Sequence, residues 1–100
     1  KTGFESSARV LLCDYKRFLK YEADREYDVF FVDPPYYTGL SDRALKQIGQ
    51  QPVLAKHGIV VLECARDEEK PSEEGNLVLR RRYDYGTVSV LIYVRKDRDD

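Results

Sequence analysis

Asp33-Pro34-Pro35-Tyr36 places a carboxylate, two rigid prolines and a phenol ring at four consecutive positions. Neither proline carries an N–H and each fixes its own φ, so no strand ladder continues past Asp33. Pro34 also pushes Asp33 into an extended conformation. The result is a stiff turn that holds one carboxylate, unpaired backbone carbonyls and an aromatic ring. Val29-Phe30-Phe31-Val32 stands immediately before it and reads as a buried strand of a parallel sheet. Ligands of open α/β sheets bind at the carboxyl ends of such strands. The same turn also serves simply to stop a strand, and on these residues alone both readings stand.

The remaining candidates are weaker. His57 is the sole histidine, precedes Gly58 in an expected turn, and has no Ser or Cys nucleophile motif beside it. Glu63 ends a strand on the expected ligand side, as a wall of a pocket or as an ordinary hydrogen-bonded acid. Arg80-Arg81-Arg82 with Tyr83 and Tyr85 offers guanidinium groups and rings to a nucleic acid, or a solvated hairpin face. By alternation, Arg81 points opposite to its neighbours. The acids of residues 66–76 show no metal-ligand spacing. Cys13 and Cys64 each close an apolar run and read as small buried residues of a reducing compartment.

The elements that position the turn follow from periodicity. Ala8 to Cys13 reads as a first strand. Asp14 closes it and can cap a helix whose apolar face carries Phe18, Leu19 and Tyr15. Asp28 to Val32 is the second strand. Ser41-Asp42 can cap a second helix, with Ala44, Leu45 and Ile48 at helical spacing and Gly49 near its end. Pro52 to Gly58 reads as a half-helix and turn leading into a third strand, Ile59 to Glu63. Residues 66–76 read as a solvated loop. Leu77 to Tyr83 and Thr87 to Val94 alternate clearly, and Asp84-Tyr85-Gly86 joins them as an antiparallel hairpin. Alternating βαβα followed by a hairpin is an α/β sandwich, parallel at first with an antiparallel edge.

One hundred residues, 42% apolar and 35% charged, make one soluble globular domain with a modest core. A net charge of −1 generates no overall field that attracts nucleic acid, so such a role needs a local patch or a further part of the protein. No apolar run approaches transmembrane length, and Lys1 to Ser7 is not a signal peptide. The absence of methionine is expected of a trimmed, processed or partial chain.

Taken together, these residues resemble the carboxyl-terminal half of a class I, S-adenosylmethionine-dependent methyltransferase. They are most similar to the bacterial family that methylates the exocyclic amine of a guanine in 16S ribosomal RNA. Phe30-Phe31-Val32-Asp33-Pro34-Pro35-Tyr36, followed by Gly39-Leu40, matches the family's catalytic motif. Val10 to Asp14 with Phe18-Leu19 matches its cofactor-contacting strand, Gly58 to Glu63 the next strand, and Tyr85-Gly86-Thr87 the closing hairpin, without the acid usual between Gly and Thr. The resemblance implies a partial Rossmann-like sandwich over residues 1–96, with 97–100 as a charged tail. It implies Asp33, Pro34, Pro35 and Tyr36 as catalytic residues and Asp14 and Asp33 as cofactor contacts. The Asp33 carboxylate and Pro34 carbonyl would accept the two amine N–H groups, and Tyr36 would stack on a base taken out of its helix. Asp14 serves equally well as a plain helix cap. The implied partners are ribosomal RNA or a small-subunit assembly particle, the implied location cytoplasmic, with no membrane.

One departure is large. The family's Gly-rich cofactor loop has no counterpart among the six glycines, and its first strands are missing. The chain as it stands is therefore expected to be inactive, with the family function assigned to a longer parent. Without those strands, the strand ending at Val32 would have an open apolar edge. Either strand 10–13 pairs with it directly as a βαβ unit, or two chains pair edge to edge as a dimer. Two other functions stay open: methylation of DNA adenine or another amine, and a non-catalytic α/β interaction domain.

Overall fold

The computed structural model describes residues 10–13 and 27–98. The described residues form one sheet of six strands: β1 (Val10–Cys13), β2 (Tyr27–Val32), β3 (Leu54–Ala65), β4 (Glu73–Glu74), β5 (Leu77–Tyr85) and β6 (Val88–Arg95). One helix among the described residues, α1 (Leu40–Gln50), joins β2 to β3. The spatial order is β1-β2-β3-β6-β5-β4. The first three strands run parallel and the last four, sharing β3, run antiparallel. The α/β class, the parallel strands and the closing hairpin thus match the sequence expectation. Of the two ways to cover the edge of β2, the chain uses its own β1, paired Val10 to Val29 through Cys13 to Val32.

The core lies on the sheet face that α1 covers. Phe30 and Val32 of β2, Val60 and Leu62 of β3, and Leu91 and Tyr93 of β6 meet Ala44, Leu45 and Ile48 there, all essentially without exposure. These positions alternate along each strand and recur at helical spacing in α1, so one binary pattern places both layers. The Tyr93 hydroxyl reaches through this core to donate to the Pro71 carbonyl at 2.7 Å, and burial raises its pKa. Phe31, expected to be buried with its neighbours, is 40% exposed on the opposite face.

Three local expectations are corrected. α1 starts one residue before the expected caps: Gly39, at φ 76, is its N-cap, and Ser41 is buried inside the first turn. Thr38 prepares this start, donating to the Pro35 carbonyl at 2.7 Å and accepting the Leu40 N–H at 3.4 Å. The expected half-helix at Pro52 to Gly58 is strand from Leu54 onward, and His57 is an exposed strand residue. Seven residues are too few to form a stable helix without help from packing. Burial of Val53 and Leu54, with the Tyr27 N–H donating to the Val53 carbonyl at 2.6 Å, draws the segment into the sheet. A register shift between Tyr27 and Val29 absorbs the extra residues.

Gly49 lies near the end of α1, as expected. It sits within the helix against β4, where an added Cβ would lie 2.3 Å from the Glu74 carbonyl oxygen. Finally, residues 66–76 are not simply a solvated loop. Glu73–Glu74 pairs with β5, and the Lys70 side chain is only 3% exposed.

Hairpin β5–β6 turns in two residues, Gly86-Thr87, with Gly86 at φ 57 and Tyr85 paired to Val88. Short hairpin turns demand this positive φ, which only glycine adopts cheaply. A bulge between Leu79 and Arg81 makes Arg80 the extra residue of the arginine run.

Candidate active site at the end of the parallel strands

β2 ends at Val32, paired to Leu62, while β3 continues three residues further to Ala65. Asp33 therefore leaves the sheet beside Glu63, which stays within β3, paired to Val90. Asp33-Pro34-Pro35-Tyr36 lines an open cleft of about 410 Å³ there. All four catalytic residues expected from sequence are thus brought into one place. Asp33 is solvent-exposed, and no hydrogen bond among the described residues occupies its carboxylate. Asp14, the other expected cofactor contact, lies outside the described residues, as does the helix expected after it.

The Tyr36 ring is held from the neighbouring strand. Its hydroxyl donates to Glu63 Oε2. That bond, with the negative charges of Glu63 and Asp33 close by, pushes the phenol pKa up to about 12. The ring is therefore neutral at any working pH and kept at a defined angle, while remaining 37% exposed. Glu63, left open in the sequence as pocket wall or strand-end acid, is the group that orients Tyr36.

Tyr37 projects next to it and was not singled out in the sequence. It is the one non-glycine residue with positive φ among the described residues, at 61°, and its ring is 69% exposed. Its hydroxyl donates to Asp67 Oδ1 at 2.5 Å, which raises its pKa. A second cleft, about 440 Å³, opens between Tyr37, Arg66, Asp67, Gly86 and Thr87.

Beneath this edge lies a buried ion network. Lys70 Nζ is 3.0 Å from Glu68 Oε1 and 3.3 Å from Asp42 Oδ1 in the first turn of α1. Glu68 also accepts the Ala65 N–H at 2.8 Å. Desolvation works against both charges. Even so, the Ala65 N–H and Lys70 hold Glu68 below the usual carboxylate range, and Glu68 and Asp42 hold Lys70 above its usual value. The network ties the strand-end loop to the helix that follows the Pro-Pro turn.

The arginine run divides by role. Arg82 donates to Asp84 Oδ1 at 3.0 Å, Ser89 Oγ at 3.2 Å and the Arg66 carbonyl at 2.8 Å. The Ser89 hydroxyl and Arg82 hold Asp84 below its ordinary pKa. Arg82 is thus a brace for the hairpin tip. Cys64 is buried as expected, and burial pushes its thiol up. The described residues contain no cluster able to hold a metal ion and no helix long and apolar enough to cross a membrane.

Comparison with known proteins agrees with this architecture. A family model described as "Conserved hypothetical protein 95" matches residues 1–94. The chain is 34% identical over 91 residues to a Bacillus subtilis protein named "Putative rRNA methyltransferase YlbH", covering 89% of this chain and 50% of that one. A "conserved hypothetical protein" of Streptococcus pyogenes superposes with a TM-score of 0.74 at 22% identity, over 85% of this chain and 52% of the other. A "putative methylase" of Haemophilus influenzae gives a TM-score of 0.61 at 25% identity, over 69% and 42% of the two chains. The chain therefore spans about half the length of these relatives.

Proposed function

From the premise that this chain belongs to the conserved hypothetical protein 95 family and is part of a class I methyltransferase domain, we propose that its parent protein methylates the exocyclic amine of a guanine in 16S rRNA, using S-adenosylmethionine. The observation that carries this reading is the Asp33–Tyr36 cleft at the carboxyl end of β2. A purine exocyclic amine is a poor nucleophile, because its lone pair is delocalised into the ring. The Asp33 carboxylate and the Pro34 carbonyl accept the two amine N–H groups and hold the nitrogen with its lone pair out of the ring plane. The prolines prevent these acceptors from relaxing away. Tyr36, neutral and fixed by Glu63, gives the base a face to stack on once it has left its helix. This is positioning and electrostatic help more than strong base chemistry.

When bound, S-adenosylmethionine supplies an electrophilic methyl group. The described residues fit only its reacting end. Asp33 is exposed in the cleft, but the glycines among the described residues form no cluster that would cradle the rest of the molecule; Gly39 and Gly86 stand singly in turns. Gly49 and Gly75 press against each other, and Gly58 packs against Asp28 and Leu54. Asp14 is the group proposed to meet the adenine. The remaining cofactor contacts are assigned to the rest of the parent protein, and the present chain is proposed to be inactive alone, in a cytoplasmic setting with ribosomal RNA as the partner.

The test is Asp33→Ala in the parent protein. Methyl transfer is expected to fall at least about 100-fold, the scale of losing one fixed electrostatic group, with the melting temperature unchanged. Unaltered transfer would make the Pro-Pro turn merely structural and favour a binding domain.

A further inference from the structure

We propose that the cleft formed by Tyr37, Arg66, Asp67, Gly86 and Thr87 holds the nucleotide adjacent to the target guanosine in a single-stranded RNA, with its base on Tyr37 and its phosphate at Arg66. This rests on the reading of the Asp33–Tyr36 cleft as the target-base site. The two clefts adjoin through one peptide bond, because Tyr36 lines the first and Tyr37 the second. Consecutive aromatic rings facing adjoining clefts match consecutive bases of an unstacked strand.

The conformation of Tyr37 points to a purpose for its ring. A φ of 61 disfavours a bulky residue, and glycine or asparagine would fit there with less strain. The chain nevertheless keeps a tyrosine, pins its hydroxyl to Asp67, sets its backbone N–H toward Glu68, and leaves 69% of the residue in solvent. An exposed ring held at a conformational cost is a platform, and nothing in the core uses it.

The rest of the cleft supplies what a nucleotide needs. The Arg66 side chain is 56% exposed. It spends Nη1 on the Gly86 carbonyl at 3.2 Å, while its Nε stays 3.9 Å from Asp84. A guanidinium has five N–H donors in a planar fork, so donors remain for a phosphate. The Arg66 N–H donates to the Thr87 carbonyl at 2.8 Å, and Arg82 braces the Arg66 carbonyl. The hairpin tip and the strand end are therefore one rigid wall.

The experiment is NMR titration of the 100-residue chain with guanosine 5′-monophosphate and with the 5′-phosphorylated dinucleotide pGpG. Tyr37→Gly removes the ring and suits the positive φ, so its effect is not one of unfolding, and Arg66→Gln removes the cation. Both are expected to weaken pGpG, Tyr37→Gly by roughly five- to 150-fold, while leaving the mononucleotide unchanged. Arg66→Gln is expected to reduce the slope of log affinity against log salt by about 0.7. If Tyr36→Ala weakens both probes but Tyr37→Gly weakens neither, the adjacent-nucleotide site is overturned and the target-base reading stands. If Tyr36→Ala also changes neither, the target-base reading falls with it. A chain that binds pGpG no better than the mononucleotide overturns the proposal outright.

Discussion

Replacing Lys70 with methionine is expected to unfold this protein far more readily than its place in an acidic, polar loop suggests. The Lys70 side chain is 3% exposed and its partner Glu68 10%, whereas Asp42, at 51%, has solvent to fall back on. Removing the ammonium leaves one carboxylate in the interior with only backbone N–H groups for company. Breaking one side of a buried pair costs about 3–5 kcal/mol. Glu68 keeps its bond from Ala65, and methionine refills the volume of the lysine stem, so the lower end, about 3 kcal/mol, is expected. That is a large share of the roughly 5–15 kcal/mol that stabilises a typical domain. Urea unfolding reads it directly. Glu68→Gln combined with Lys70→Met removes both charges and is expected to recover all but about 1 kcal/mol. The pH profile carries a second signature. Glu68 is held below its ordinary pKa, so its contribution is present above the usual carboxylate range and is lost as pH falls through the lowered value. Lys70 is held above its ordinary pKa, so its contribution is complete below the usual lysine value and is lost as pH rises through the raised one. The cost of Lys70→Met is therefore greatest across the neutral range and shrinks at both ends. A loss under about 1 kcal/mol at neutral pH, or a double variant as weak as the single, would refute this account of the network.

Gly49→Ala, ordinarily a helix-stabilising change worth about 1 kcal/mol, is expected to reverse sign here. The new methyl would lie 2.3 Å from the Glu74 carbonyl oxygen, so thermal melting should show a net loss, while a stabilised variant would mean that β4 yields freely. Calorimetric titration of S-adenosylmethionine into the 100-residue chain is expected to give no heat. Tight binding would show that the chain builds a cofactor site without a glycine loop.

The strand-end site was legible because its signals are local. Two prolines after Val32 announce where β2 stops, and the alternation of residues 77–94 announces the hairpin, whatever the rest of the chain does. What escaped the sequence depends on distant partners. Lys70 reads as one more charge in a polar run until Glu68 and Asp42 close around it. Gly49 reads correctly as a residue near a helix end, but its tight contact with the backbone of β4 goes unread because that strand lies 25 residues further along the chain. Leu54 to Gly58 has no strong pattern of its own, and its place in the sheet depends on Leu54 pairing to Tyr27 of β2 and on burial of Val53 and Leu54. Tyr37 gave no signal beyond being aromatic after a turn, since its positive φ and its bond to the distant Asp67 exist only in the folded chain.

Nucleoside analysis of small-subunit RNA after incubation with the parent protein and isotopically labelled S-adenosylmethionine tests the central claim most directly. The label is expected in N2-methylguanosine, and to vanish from it with Asp33→Ala. Label in another nucleoside, or label that survives loss of the Asp33 carboxylate, would contradict the assignment of this cleft to a guanine amine.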